Sequence, residues 1–553
     1  MKNRIALVLM IVLAFVLRFY KLGSYPALNA DEAAIGYNAY SLIQTGMDEH
    51  SNSWPIHFES FGDYKPGLYF YLVLPFVKFF GLNTWSVRIP GALSGVATVY
   101  LIYLLVKELF EKKSKFTLFT FHFSIGEIAA FMLAISPWHI HFSRGGWEVN
   151  VATLFITTGV YLFLLSRKRR SLVILQFSVI FFVLSLYTYH AARIIVPLLV
   201  LGLTFLYKDH LKSNFKNYII AGLIGLVSIL PLVKDFTKPD ISSRATGVGL
   251  FADVGPLNRI NEQRGEHADY SSTDTKLLHN KFVNYGLAFL ENWGEHFHGE
   301  FLFLSGDDIE RDKVPETGQM YILDLLWLVI GVWCMVKRWE KGSKIVLFWV
   351  IIAPIAAALT FQSPHALRSH NMVIPLTIIS AIGLSNAIVW IKENVNIKSL
   401  QATGYLLIAT LISCQFARYL HMYWVHMAKE YPFSSQYGVK ELVNYIEKEG
   451  GKYDKIVITD RYDQPYILSL FYMKYPPKVF QENHELTPRD KFGFSTVTHF
   501  DRYHFQEINF EELVKDKSND LIVGTDEEIY DEANIVREIY GSNGYKYFEV
   551  VAN

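Results

Sequence analysis

The chain has 553 residues, 51% of them hydrophobic and 15% aromatic, and only 19% charged, with 52 basic and 52 acidic side chains. That balance is too apolar for a soluble protein of this length and fits an integral membrane protein, while a net charge of zero gives no bulk attraction for nucleic acid. The two cysteines, Cys334 and Cys414, both fall in apolar stretches, so neither a disulfide framework nor a cysteine zinc site is expected.

The first element, "MKNRIALVLMIVLAFVLRFY", lacks a small-x-small cleavage site and is followed by many further apolar stretches, so it reads as a retained helix. A bilayer core takes about 20 apolar residues of helix, and shorter stretches are tolerated by tilt or thinning. On that template roughly eleven spans are expected: 4–20, 86–106, 117–137, 147–166, 172–189, 192–207, 217–234, 320–336, 345–361, 370–391 and 401–422. Alternate loops differ sharply in charge. Residues 107–115, 167–170, 208–216, 337–344 and 392–398 together hold 17 Lys and Arg, against three in 137–147, 188–193 and 361–370. The positive-inside rule makes the first set and the N-terminus cytoplasmic. Outside the cytoplasm are then expected the long segments 21–85 and 235–319 and the polar region from about residue 431. Beyond the last span, "YGVKELVNYIEKEG" and "QPYILSLFYMKY" read as helices and "YDKIVITD" and "SNDLIVGT" as strands. The expected organisation is thus a membrane domain over 1–430 and a small extracytoplasmic α/β domain over 431–553. The expected location is the plasma or inner membrane, crossed many times.

The outer segments carry the chemistry. "YPALNADEAAIGYNAYSLIQTG" offers the adjacent acids Asp31 and Glu32, and "FGDYKPGLYFY" offers Lys65 ahead of a Pro-Gly step that suits a helix start. "SPWHIHFSRGGWEVN" adds Arg144 and Glu148, "YTYHAARIIVP" His190 and Arg193, and "SPHALRSHNMVIP" His365 and Arg368. Each short outer loop has one basic residue, an arginine with a histidine nearby. Taken singly these have plain structural readings: arginines snorkel to headgroups, and carboxylates cap helix N-termini. Their conjunction on one face suits transfer of a sugar from a lipid phosphate. A carboxylate takes the proton of an attacking hydroxyl, and cations stabilise the departing phosphate.

Several stretches carry a resemblance: "ALNADEAAIGYNAYSLIQTG", "DYKPGLYFYLVLP", "WSVRIPGALSGV", "SPWHIHFSRGGWEVN" and "YTYHAARIIVP", with "FLFLSGDDIERDKVPETGQMY" and "SPHALRSHNMVIPLTIISAIGL" as later landmarks. In this order, over about residues 1–390, they resemble the family 39 membrane glycosyltransferases. That group includes the polyprenyl-phosphate-mannose protein mannosyltransferases and the aminoarabinose transferase acting on lipid A. The resemblance implies the C-type multi-spanning fold, a polyprenyl-phosphate sugar donor, and an inverting mechanism without a covalent intermediate. It implies Asp31 as catalytic base and Lys65 on the donor phosphate; Glu32, beside the base, is read from its position as orienting the acceptor or neighbouring cations, or as capping the helix. Arg144, Arg193 and Arg368 are further phosphate candidates on chemistry alone, and Glu148, His190 and His365 supporting ones. This chain has Lys-Pro-Gly where the family has Lys-Pro-Pro, and it lacks the β-trefoil insertion of the eukaryotic enzymes.

The acceptor expected is a lipid, glycan or protein, with membrane lipids as the other partners. No particular cofactor is indicated, and a divalent metal is left open. "HFHGE" supplies the weak candidates His296, His298 and Glu300, but alternate residues share a face only in a strand, so structural histidines are the better reading. Two other functions compete: a lipid-linked sugar transporter or flippase, and a non-catalytic membrane assembly protein. A transporter would place its charges mid-membrane rather than along one face.

Overall fold

The structure is a computed structural model that describes residues 2–110, 115–118, 121–237, 248–431, 436–488, 495–515, 518–530 and 533–553. The chain divides into two compact units, one comprising Met1–Arg18, Leu93–Ser143 and Glu148–Leu420, the other Phe19–Ala92, Arg144–Trp147 and His421–Asn553.

The first unit is helical. Among the described residues, six helices are long and apolar enough to cross a membrane by length and composition: Thr84–Leu109, Glu148–Arg169, Phe215–Asp235, Lys341–Ala358, Ala366–Asn394 and Lys398–Glu430. Shorter apolar helices include Ile5–Phe19, Ile125–Ile135, Leu172–Leu186 and Ala192–Leu206. Charge and polarity are fitted to these helices. Glu148–Arg169 opens on an acid and closes on Arg167, Lys168 and Arg169, each charge favourable at its end of the helix dipole. Close packing is visible where Ile322–Arg338 meets Val373–Asn394. A Cβ on Gly383 would lie 1.9 Å from the Trp327 carbonyl oxygen, and one on Gly331 2.1 Å from that of Ile379. Only glycine lets the two backbones approach so far.

One expected span is corrected. Residues 117–137 do not form a single helix: Lys115–Leu118 and Phe121–Ser124 pair as antiparallel strands, and the helix begins only at Ile125. Ser124 explains the start, since its hydroxyl accepts from the Glu127 amide while Glu127 accepts from the Ser124 amide, a reciprocal cap. Four residues of the cationic loop 107–115, 111–114, lie outside the described residues.

The second unit is built round the helix Ala30–Thr45, which is rich in alanine and buried on most of its surface. It packs against Leu68–Phe80, Pro465–Met473 and Pro477–Asn483. The C-terminal residues of this unit carry a seven-stranded sheet in the order Ile535–Tyr540, Lys546–Ala552, Asp520–Gly524, Lys455–Thr459, Tyr503–Gln506, Val497–Phe500 and His484–Leu486. Lys455–Thr459 is central and runs parallel to both neighbours, while the outer pairs are antiparallel. Its near-continuous apolar run, Ile-Val-Ile, is what burial on both faces demands.

Candidate functional site

The acidic pair heads the central helix of the second unit. Asn29 caps it: its side-chain oxygen accepts from the Glu32 amide at 2.9 Å, and the Glu32 carboxylate accepts from the Asn29 amide at 3.3 Å. Gly46, in left-handed conformation at φ 74°, closes the other end.

Cap and burial separate the two acids. Glu32 is 1% exposed and forms a bidentate pair with Arg88, Nε to Oε1 and Nη2 to Oε2 both at 2.6 Å. The Gly146 amide donates to Glu32 Oε1 at 2.7 Å. Arg88 completes its donor set on the carbonyl oxygens of Leu22, Pro26 and Ala27 at 2.9–3.0 Å. Arg88 therefore ties the loop 22–27 to the helix start, and Glu32 neutralises it there. The carboxylate of Asp31, one residue earlier, points another way. Its side chain is 26% exposed, and it pairs with the Lys65 ammonium.

Lys65 is presented by a hairpin, His57–Ser60 with Asp63–Pro66, whose two-residue turn is Phe61-Gly62. Both turn residues have positive φ, 60° and 75°, the type I′ geometry that matches strand twist. Phe61 folds back under the ammonium, 4.9 Å from ring centroid to Nζ, where the face of the ring attracts the cation. The helix Leu68–Phe80 follows immediately, as the Lys-Pro-Gly step suggests.

A second acidic pair that the sequence reading passed over lies in the same unit. Asp48 and Glu49 are both fully buried. Glu49 accepts from Asn38 Nδ2 at 2.9 Å, and burial pushes its carboxyl up to about 8 against the pull of Asn38 and Lys65. Burial raises Asp48 to about 6 and lowers the imidazole of His50 to about 3. Lys65 thus pairs with an accessible carboxylate and also acts electrostatically on a buried one.

The remaining candidates separate by environment. Arg144, 1% exposed, donates to the Tyr423 hydroxyl at 2.9 Å and the Tyr25 carbonyl at 3.1 Å, with its guanidinium 4.8 Å from the Trp424 ring centroid. In the first unit Arg193 is 2.8 Å from His190 Nδ1 and lies over the Phe236 ring, and Arg368 donates to Thr360 at 2.7 Å. Both arginines are partly exposed. Glu148 starts its helix. His365 is buried beside Asp307 and Asp312. His296, His298 and Glu300 do not converge as ligands. The ring of His296 is buried and committed, Nδ1 donating to the Asn292 carbonyl and Nε2 accepting from the His365 amide, whereas His298 and Glu300 are exposed.

Arg88 was missed because an arginine two residues inside an apolar stretch looks like an anchor. Its signal was the phrase "SVRIPG": a charge in that setting requires a buried acid, and Glu32 is that acid.

The family described as Dolichyl-phosphate-mannose-protein mannosyltransferase matches residues 64–234. The Bacillus subtilis (strain 168) protein named "Putative mannosyltransferase YycA" is 33% identical over 94 residues, which span 17% of this chain and 12% of that protein. Among solved structures, ArnT from Cupriavidus metallidurans bound to undecaprenyl phosphate superposes with a TM-score of 0.53 at 12% identity, over 99% of this chain and 97% of that one. The Archaeoglobus fulgidus oligosaccharyltransferase superposes at 0.50 and 14% identity, over 84% of this chain and 61% of its own length. The chain resembles the family 39 glycosyltransferases in sequence, and its fold is the C-type glycosyltransferase fold of these multi-pass membrane proteins.

Proposed function

We propose that this chain is a membrane glycosyltransferase that moves a sugar from a polyprenyl-phosphate donor to a hydroxyl or phosphate of a lipid, glycan or protein acceptor on the outer face of the membrane. The observation that carries the proposal is the Asp31–Lys65 pair: the one acid of the Asp-Glu step that solvent reaches is held by the hairpin's lysine. For a hydroxyl acceptor, the donor's phosphate draws the Lys65 ammonium to itself and frees the Asp31 carboxylate. The acceptor oxygen attacks the anomeric carbon from the side opposite the phosphate, and Asp31 takes its proton. The bond from anomeric carbon to phosphate oxygen breaks with its electron pair on the phosphate, which Lys65 stabilises. Attack opposite the leaving group inverts the anomeric configuration.

In this reading Glu32 and Arg88 do no chemistry. They fix the start of the helix so that Asp31 faces the reacting atoms. Arg193 and Arg368 are proposed for the donor's phosphate on side-chain chemistry, and Arg144, enclosed by Tyr423 and Trp424, is the least reachable of the three arginines. The reading is supported by the family match over 64–234 and by ArnT, whose structure holds undecaprenyl phosphate. The test is transfer of radiolabel from a polyprenyl-phosphate sugar in membranes containing the protein. Transfer that depends on Asp31 supports the proposal. A transporter or an assembly protein would give none.

A further inference from the structure

Three ionisable side chains from two separate segments meet inside the first unit. Asp307 precedes the turn Glu310–Asp312, Asp312 is its last residue, and His365 immediately precedes the short helix Ala366–Ser369. All three are buried, and one ligand atom of each lies within 4.8 Å of the others. His365 Nδ1 stands 3.6 Å from Asp307 Oδ2 and 3.5 Å from Asp312 Oδ2.

Those separations are informative. An imidazolium bonded directly to a carboxylate would close to about 2.7–3.2 Å. Ligands at about 2.0–2.2 Å from a tetrahedral ion stand about 3.3–3.6 Å apart along its edges. The two histidine–carboxylate distances fit tetrahedral edges and exceed hydrogen-bond length, and the two carboxylates lie within 4.8 Å of each other. The neighbouring Lys313 also acts on Asp307 and lowers it against the effect of burial.

The donors are also held in place from behind, as metal ligands are. The Ile309 amide donates to Asp307 Oδ1 at 2.9 Å, and the Ala366 amide donates to its Oδ2. The His365 amide donates to His296 Nε2 at 3.2 Å, and His141 Nε2 donates to the Arg311 carbonyl at 2.9 Å.

We propose that Asp307, Asp312 and His365 bind one divalent transition-metal ion of the zinc class, which pins the segment 307–312 to the chain at residue 365. Two carboxylates and an imidazole, without sulfur, suit zinc or cobalt, and a water completes the tetrahedron. This inference is independent of the glycosyl-transfer reading.

The test uses the full-length protein in lipid nanodiscs, stripped with chelator and dialysed against Zn²⁺ or Co²⁺. Wild type should retain about one ion per chain, and Asp312→Asn and His365→Gln should each weaken retention about tenfold or more. Glu310→Gln, an exposed acid between the ligands, should not change it. Co²⁺-loaded wild type should show the strong visible bands of a tetrahedral site, a readout that needs no variant to fold. Wild type without those bands, or with Zn²⁺ retention equal to that of Asp312→Asn, would overturn the proposal. So would retention by wild type that neither ligand variant weakens.

Discussion

At the level of single residues, neighbouring acids with the same chemistry are sorted by their partners. Asp31 is reached by solvent and held by a lysine, whereas Glu32 is sealed and shared between an arginine and a backbone amide. If Asp31 is the base, Asp31→Asn should lose about 10²–10⁴-fold in turnover with donor binding largely kept. Normal turnover on the true acceptor would reduce the acid to a helix-terminal charge. Lys65→Ala should raise the donor KM and lower kcat, since a charge-assisted contact is worth about 1.5–3 kcal/mol. Wild-type kinetics in that variant would move the phosphate role to the arginines. Glu32 should reveal its part through stability. Arg88→Met leaves a buried carboxylate alone and should cost about 3–5 kcal/mol, and adding Glu32→Gln should recover much of that; two additive losses in a chemical-unfolding cycle would argue against the pair. A pH effect follows from the second acidic pair. Glu49 is raised to about 8, so its contribution to stability is present below the ordinary carboxylate range and is lost as pH rises through 8. His50, lowered to about 3, contributes above the ordinary imidazole range and loses that only as pH falls toward 3. Between about pH 6.5 and 8 Glu49 alone of the two acts, so the Tm should fall with rising pH there and Glu49→Gln should flatten the slope.

At the level of elements, legibility followed local signal. The helix Ala30–Thr45 was readable because an Asn-Ala-Asp-Glu start and a glycine stop bracket it, and both caps form. In the C-terminal region Lys455–Thr459 and Asp520–Gly524 were readable as dense apolar runs, and Val439–Glu449 by its helical period. The strands Val497–Phe500 and Tyr503–Gln506 were not, because histidines and glutamine interrupt any alternation and their turn is Asp501-Arg502, with no glycine to mark it. The Lys65 hairpin was hidden for a similar reason: its four-residue strands, "HFES" and "DYKP", carry more polar groups than apolar ones and are held by the turn and by neighbours. Packing of the central helix gives a test. A Cβ at Gly36 would lie 2.5 Å from the Phe471 ring and 2.7 Å from Val87, both side chains with little room to yield. Gly36→Ala should therefore destabilise the second unit by about 1–3 kcal/mol. A neutral result in thermal unfolding would mean that this helix is packed more loosely than described.

At the level of the whole molecule, the apolar periodicity located helices but could not say which distant segments form one unit. Phe19–Ala92 and His421–Asn553 belong to the same unit, together with only four residues, Arg144–Trp147, from the middle of the chain. Those four belong there through particular bonds, Gly146 to Glu32 and Arg144 to Tyr423. Such pairings depend on partners 114 and 279 residues apart, and no local pattern encodes them. Which side of the membrane this unit faces is, in contrast, a matter of loop charge. Each Lys or Arg close to the end of a span resists translocation, and the imbalance of 17 to three is large. We therefore predict that 21–85, 235–319 and 431–553 lie outside the cytoplasm. Single cysteines introduced into a variant lacking Cys334 and Cys414 test this on intact cells with a membrane-impermeant maleimide. Ser271→Cys and Ser518→Cys should be labelled from outside, and Ser213→Cys, beside Lys212 and Lys216, only after the membrane is opened. The reverse pattern would place Asp31 and Lys65 on the cytoplasmic side. A polyprenyl-phosphate donor presented on the outer face could not then reach them, and the transfer proposal would fall together with the topology.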